Sequence, residues 1–445
     1  MWTMLPKPPR GCCPMPHHLS RAYALRSMGA THHPAHGRII PTTRQPDRTK
    51  EYAMRRDIPQ GWRILEISAR DDYYEYWNDI RRQSPVHDAG DGLFVVSGWE
   101  PAHAGLRHPE LYAGSGVAAA FGFDSAVEAV VRNWLMSLNG DDHRRARALV
   151  ARVFTLRAVA ALEHKIRAIT RDIMREFVQQ AQQAPANFSR IAATRLPCEM
   201  IRTMFAIDPA EWTAQVEPLF LGAAGSQDHA FAAVSGLTTY FHQTIGNPGT
   251  CDPDGIIALL RAAGSDGDRL SEAEVIANCV LIVTAAVDTT AGLIANALVR
   301  LIEHPEILAR VRANPALIPA VIEETLRHCP SAPSSSRHAA TTVELGGVTI
   351  PQGSDIFFSI SAANRDPERF AHPDRFDIDR QETGALTFGG GAHFCLGAGL
   401  ARLEARVALE EILAITNTIT LAEPVQWRTD NPVVRAPANL MITCS

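Results

Sequence analysis

The sequence predicts a mainly α-helical protein with a small β-rich region. Three observations carry that expectation. The 445 residues are 46% hydrophobic and 20% charged, enough apolar material for a sizeable core. Long stretches place apolar residues three and four apart, the spacing of a one-sided helix: "HRRARALVARVFTLRAVAALEHKIRAITRDIMREFVQQAQQ" from His143, "PALIPAVIEETLRHC" from Pro315 and "LGAGLARLEARVALEEILAI" from Leu396. Only "ATTVELGGVTIPQGSDIFFSIS", from Ala340, alternates like strands. Gly346-Gly347 and Pro351-Gln352-Gly353 interrupt it as a hairpin connection would.

The first fifty or so residues differ. They are rich in Pro, Arg and His, nearly free of acids, and lack the apolar core of a secretory signal. Residues 1–53 are expected to be a disordered tail upstream of a single domain, 54–445, with Met54 a candidate start. An organelle transit peptide is the alternative, disfavoured by the prolines. A net charge of −5 argues against nucleic acid as a main partner. The eight cysteines form no CxxC pair, and several lie in apolar helical patterns. That suits buried free thiols in a reducing, cytoplasmic setting rather than a disulfide framework.

"VIANCVLIVTAAVDTTAGLIANALV", Val275 to Val299, is apolar on nearly every side and long enough, at about 37 Å, to cross a bilayer. Asn278, Asp288, Thr289, Thr290 and Asn296 interrupt it, and a lipid-facing Asp288 at its middle is costly. A buried central helix is therefore expected, with no membrane span. Its acid and alcohol then need a purpose.

"FGGGAHFCLG", Phe388 to Gly397, crowds glycines against His393 and Cys395 just before a helical pattern. Glycines let a large group approach the backbone, and a helix start favours an anion such as a thiolate. Placed in the first turn of that helix, the thiol has its pKa lowered. Cys395 is open to three readings: an inert thiol, a nucleophile with His393 as base, or a metal thiolate beside a flat cofactor.

This stretch resembles the haem-binding signature of the cytochrome P-450 family, F-G-x-G-x-H/R-x-C-x-G, at Phe388, Gly389, Gly391, His393, Cys395 and Gly397. Other elements resemble the family in the same order. "EETLR" is similar to its E-x-x-R motif at Glu324 and Arg327, although "EMIR" at Glu199 to Arg202 matches as well. "HPDRF" is similar to the segment whose Arg375 would join that pair in a structural network. "AAVDTT" resembles the oxygen-activation motif, with Asp288 as acid and Thr289 as alcohol. Ala286 stands where the family usually has Gly, which is expected to narrow the groove.

The resemblance implies the cytochrome P-450 fold, a helical bundle around a buried haem b, and a monooxygenase. Such an enzyme inserts one atom of O2 into an organic substrate and reduces the other to water. The Cys395 thiolate would hold the iron and push electron density towards it. Asp288 and Thr289 would manage protons, the hydroxyl also competing for a carbonyl in the preceding turn and opening the helix locally. His143 and Arg147 of "HRRAR", with Arg337 and His393, would bind the propionates. The pocket would draw on the loop Phe121 to Val131, the helices from Phe220 to Tyr240, Val283, Ala286, Ser334, Ser335, Ser336 and Val433, suiting a medium-sized lipophilic molecule. Electrons from NAD(P)H would arrive through a reductase and a ferredoxin-like carrier, for which Arg402 and Arg406 are docking candidates. A monomer is expected. A peroxide-dependent haem-thiolate enzyme and a non-catalytic haem sensor or carrier are the rival classes.

Overall fold

The computed structural model describes residues 67, 70, 72–114, 125–216, 227–247, 252–253, 255–264, 268–429 and 433–445. The expected tail, the Met54 start and parts of the two pocket segments (121–124 and 220–226) lie outside them.

Helices dominate, as the periodicity predicts. In chain order they are α1 (Tyr73–Gln83), α2 (Trp99–Gly105), α3 (Ser125–Arg132), α4 (Gly140–Val150), α5 (Leu156–Ala161) and α6 (Glu163–Gln183). Then follow α7 (Arg195–Phe205), α8 (Gln227–Gly246), α9 (Ile256–Ala262), α10 (Glu272–Glu303), α11 (Pro305–Ala313), α12 (Ile318–His328) and α13 (Ala398–Ile415). The long pattern from His143 becomes three helices rather than one. A 3-10 turn at Ala151–Phe154 ends the first, and Thr155, in extended geometry, caps α5 by accepting the Ala158 N–H.

Helix α10 is the axis of the molecule. Ser271 and Glu274 form a reciprocal capping box at its start, and most of its residues are buried. Residues of α6, α7, α8, α10, α12 and α13 share one apolar core. Helix α10 is long and apolar enough to cross a membrane, and two thirds of its most apolar window is buried inside the protein (67%). Cys198, Cys279, Cys329 and Cys444 are free and buried, as expected of small hydrophobes.

The β region is larger than the one segment suggested. Strands β1 (Val86–Gly90), β2 (Leu93–Val96), β3 (Leu111–Tyr112), β5 (Ser334–Ala339) and β8 (Asp355–Ser359) form a sheet ordered β1-β2-β8-β5-β3, with only β2 and β8 parallel. Strands β6 (Val343–Leu345) and β7 (Val348–Ile350) make the expected hairpin, its Gly346 and Gly347 both at positive φ (58° and 78°) as a tight two-residue turn demands. Near the C-terminus, β12 (Met441–Cys444) lies between β4 (Ala186–Asn187) and β9 (Ile419–Leu421), and β10 (Gln426–Trp427) pairs with β11 (Pro437–Asn439).

An ionic lock joins α12 to the chain that leads to the Cys395 loop. Arg327 and Glu324 are both buried and meet in a fork, Nη2 to Oε1 at 2.7 Å and Nε to Oε2 at 2.8 Å. Arg327 also donates to the carbonyls of Asn364, Pro373 and Arg375. The third charge is not the one expected. Arg375 is 72% exposed and lends only its carbonyl, whereas Arg380 is 6% exposed and lies 3.4 Å from Glu324. The Arg375 side chain leaves the interior with its neighbour Asp377, and the chain brings Arg380 back underneath. Glu199 and Arg202, the chance match, form a surface pair at 2.9 Å on α7.

Two stability outcomes follow from these placements. Arg380→Ala should cost about 3 kcal/mol or more because it strands part of a buried charge network. Arg375→Ala should stay within about 0.5 kcal/mol. Urea unfolding of the two variants separates them. His328, buried against Asp374 and Arg365, has its pKa held well below the usual imidazole value by burial and by the Arg365 charge. Below about pH 6.5 the unfolded chain therefore binds a proton that the folded chain refuses, and stability falls as pH falls. His328→Gln should flatten that slope between about pH 6.5 and 4.5 in the same assay.

Candidate functional site

The Cys395 loop is built by its glycines. Gly389 and Gly391 take positive φ (72° and 63°), and a Cβ on Gly391 would stand 2.9 Å from the Arg107 backbone. The loop closes on itself through the Cys395 N–H donating to the Phe388 carbonyl at 2.9 Å. Cys395 itself is not in the first turn of α13, as expected, but just before it. Gly397 caps the helix, and the Gly397 and Ala398 N–H groups at its start act to lower the Cys395 thiol pKa.

The net effect on the thiol is the reverse of the expectation. Burial by the surrounding chain pushes its pKa up, and the Gly397 N–H, Arg147, Arg402 and Ala398 N–H offset only part of that rise. The sulfur nonetheless touches open space. A metal cation on the exposed side of Cys395 would offset the burial that disfavours the thiolate. No carboxylate orients His393 as a base for it. His393 is pushed down to about 3 by burial and by the nearby His143, Arg337 and Arg147, which removes the nucleophile reading.

Four basic side chains collect beside the loop. His143, buried on α4, meets the His393 ring at 4.2 Å with the planes tilted by 40°, and its Nε2 has no hydrogen-bond partner. Arg147, one turn on, donates to the Phe394 carbonyl at 2.6 Å. Arg337 is buried on β5 and reaches only the Ser335 hydroxyl and the Ser336 carbonyl; burial lowers its pKa to about 10. No described carboxylate pairs with this cluster. Buried cations without acids are costly, so the arrangement fits a ligand that brings its own negative charges. Two propionates meet that need, and the Cys395 sulfur meets the need of an iron. Haem fits the residues present.

On α10, Thr289 Oγ1 donates to the Ala285 carbonyl at 2.9 Å, the back-bond expected of it. The helix is not opened by it and runs unbroken from Glu272 to Glu303. Asp288 forms an ion pair with Arg428 at 3.2 Å. Nothing around Arg428 in the sequence marked it.

Pocket expectations fare unevenly. Val283 is fully buried in the core and lines no open space. Ala286 packs its methyl against the same core, and the residue exposed one turn before Thr289 is Ala285. Ser334 and Ser335 are half-buried on β5, Ser336 is exposed, and Val433 is 45% exposed. The docking candidates are already engaged. Arg402 pairs with Glu323 (3.1 Å) and stacks on Phe388 (4.5 Å), and Arg406 pairs with Glu163 (2.8 Å) and Glu410 (2.9 Å).

Known proteins agree with this geometry. The profile of the family described as cytochrome P-450 matches residues 226–442. Cytochrome P-450 107B1 of Saccharopolyspora erythraea is 37% identical over 66% of this chain and 73% of its own. The 6-deoxyerythronolide B hydroxylase of the same organism is 30% identical over 80% and 92%. The structure of CYP109Q5 from Chondromyces apiculatus superposes with a TM-score of 0.77, at 30% identity over 85% and 97%. The chain belongs to the cytochrome P-450 family. It is a haem-thiolate monooxygenase that uses haem b, O2 and electrons delivered from NAD(P)H by separate redox partners.

The basic cluster should bind the cofactor measurably. Arg337→Ala should weaken haem retention by about tenfold or more, read by transfer of haem to apomyoglobin. Cys395→Ser should move the Soret band of the reduced carbon monoxide complex away from the thiolate position.

Proposed function

We propose that this cytochrome P-450 hydroxylates a medium-sized lipophilic substrate in the cytoplasm, as a monomer with one catalytic domain from residue 54 onward. The observation that carries the reading is the Cys395 sulfur. It is exposed at the start of α13, whose Gly397 and Ala398 N–H groups favour an anion, and it stands near the buried Arg337, which pairs with no described carboxylate. The described residues from 72 onward fall in one compact unit, which supports a single domain. The relative named as a 6-deoxyerythronolide B hydroxylase supports hydroxylation of an organic substrate.

In this reading Cys395 holds the iron, with Phe388, Gly389, Gly391 and Gly397 shaping its loop. His143, Arg147, Arg337 and His393 hold the propionates. Haem, when bound, supplies the dioxygen chemistry. Thr289 keeps its hydroxyl at the exposed turn around Ala285, where it donates or accepts a proton at Oγ1. Asp288, 40% exposed and next to Thr289 on α10, passes protons from solvent towards the Thr289 hydroxyl. Ser334, Ser335 and Val433 border the substrate, and the exposed Ala285 replaces Val283 in that role. A ferredoxin-like carrier supplies electrons by docking on the face near Cys395, using contacts other than the paired Arg402 and Arg406.

The test is a spectral titration of the haem-loaded protein with a set of steroids, macrolides and fatty acids. Turnover follows with NADPH, a bacterial ferredoxin, its reductase and labelled dioxygen. One labelled oxygen atom in the product is expected, and Thr289→Ala should lower product formed per NADPH by about tenfold or more. Turnover with hydrogen peroxide alone, or haem binding without NADPH consumption, would select a rival class.

A further inference from the structure

The pair of Asp288 with Arg428 joins the middle of α10 to the C-terminal hairpin. Arg428 follows β10 directly, and its N–H donates to the Ala436 carbonyl at 2.9 Å, next to β11. The same hairpin is fastened to α10 two turns further on. Asn296 Nδ2 donates to the carbonyls of Arg435 and Cys329, both at 3.0 Å. The Arg435 N–H donates to the Ser331 carbonyl at 2.9 Å, and the Ser331 hydroxyl donates to the Thr289 carbonyl at 2.7 Å.

Gly292 permits this closeness. A Cβ there would stand 2.7 Å from the Ser331 Cβ and 3.2 Å from the Ala436 Cβ, so no side chain can separate helix from hairpin. The hairpin's position on α10 is thus set by the main chain and by small groups. Arg428 is 13% exposed and Asp288 is 40% exposed. A mostly buried guanidinium loses more than an exposed one when its anion leaves, so Arg428 favours keeping the Asp288 carboxylate beside it although that carboxylate also meets water.

We propose that Arg428 is a positioning residue for proton transfer, holding the Asp288 carboxylate in one place and linking it to the hairpin that carries Val433. The proposal rests on the monooxygenase reading and adds to it a positioning residue. An aspartate with two rotatable bonds and 40% exposure spreads over several rotamers when unheld. Proton transfer needs it within hydrogen-bond reach of its partner, so a spread carboxylate transfers more slowly.

The experiment uses the haem-loaded full chain as wild type, Arg428→Gln, Arg428→Lys, Asp288→Asn and the Arg428→Gln/Asp288→Asn double variant. Turnover is measured on the compound giving the largest shift in the spectral titration. Arg428→Gln should lower kcat about tenfold with KM within about twofold and enlarge the solvent isotope effect, and Arg428→Lys should restore most of the loss. In the Asp288→Asn background Arg428→Gln should have no further effect. Hydrogen exchange at amides 426–429, read without turnover, should quicken equally in Asp288→Asn and Arg428→Gln.

Equal losses in both backgrounds, no rescue by lysine, or unchanged exchange in Asp288→Asn would overturn the proposal. A wild-type protein with a thiolate-haem spectrum but no product from any compound would instead overturn the functional reading. The exchange measurement still reports the tie in that case.

Discussion

A buried guanidinium is the constraint from which the site is built. Arg327 cannot leave its donors unsatisfied in the interior, and the partners that meet them come from three stretches of chain. Glu324 takes one edge of the fork, and the carbonyls of Asn364, Pro373 and Arg375 take the rest. Asn364, held in this way, accepts from the Leu386 N–H at 2.7 Å and donates to the Thr387 hydroxyl at 3.0 Å. Thr387 immediately precedes the Cys395 loop. A charge pair on α12 therefore fixes where the loop begins, and the left-handed glycines fix where it delivers the sulfur. Removing the pair would loosen the loop without touching any residue in it.

The sulfur and the basic cluster express one electrostatic principle with opposite signs. Around Cys395 the fold supplies N–H groups and the Arg147 and Arg402 charges, yet burial raises the thiol pKa more than they lower it. Around Arg337 and Arg147, with the neutral imidazoles of His143 and His393 beside them, it supplies donors and positive charge but no described carboxylate. Each half carries a desolvation cost that its own neighbours do not offset. One ligand carrying a metal cation at its centre and carboxylates at its edge relieves both costs together. That is why the protein chain alone looks unbalanced at this place and balanced elsewhere, as where Arg167 and Arg406 meet Glu163 and Glu410.

Much of this was legible in the sequence where the relevant spacing is local. The Phe388–Gly397 loop needs its residues at fixed offsets along one turn, so reading them in order recovers the turn. Glu324 and Arg327 share one face of α12 for the same reason. The third member of the lock was misread because Arg375 and Arg380 stand five residues apart in an irregular segment. Only the path of that segment decides which side chain turns inward. Arg402 was not read as paired because its acid, Glu323, comes from another helix, whereas Arg406 pairs both with Glu163 of α6 and with Glu410 one turn on in α13, a local spacing that was readable.

The phase of α10 was the hardest property to read. An amphipathic helix declares its inner face, whereas one that is apolar nearly all round does not. Val283 and Ala285 are equally apolar and two residues apart, yet one is sealed in the core and the other is exposed. What orients the helix is the set of contacts that small and polar residues permit. Gly292 admits Ser331 and Ala436, Asn296 binds the main chain of two other segments, and Asp288 meets Arg428. These contacts lie along one side of α10 and all lead to the C-terminal hairpin or to the turn after α12. The apolar residues drive burial of the helix, but they leave its rotation nearly degenerate. The few polar ones select the rotation that turns Ala285 and the Thr289 hydroxyl away from the core.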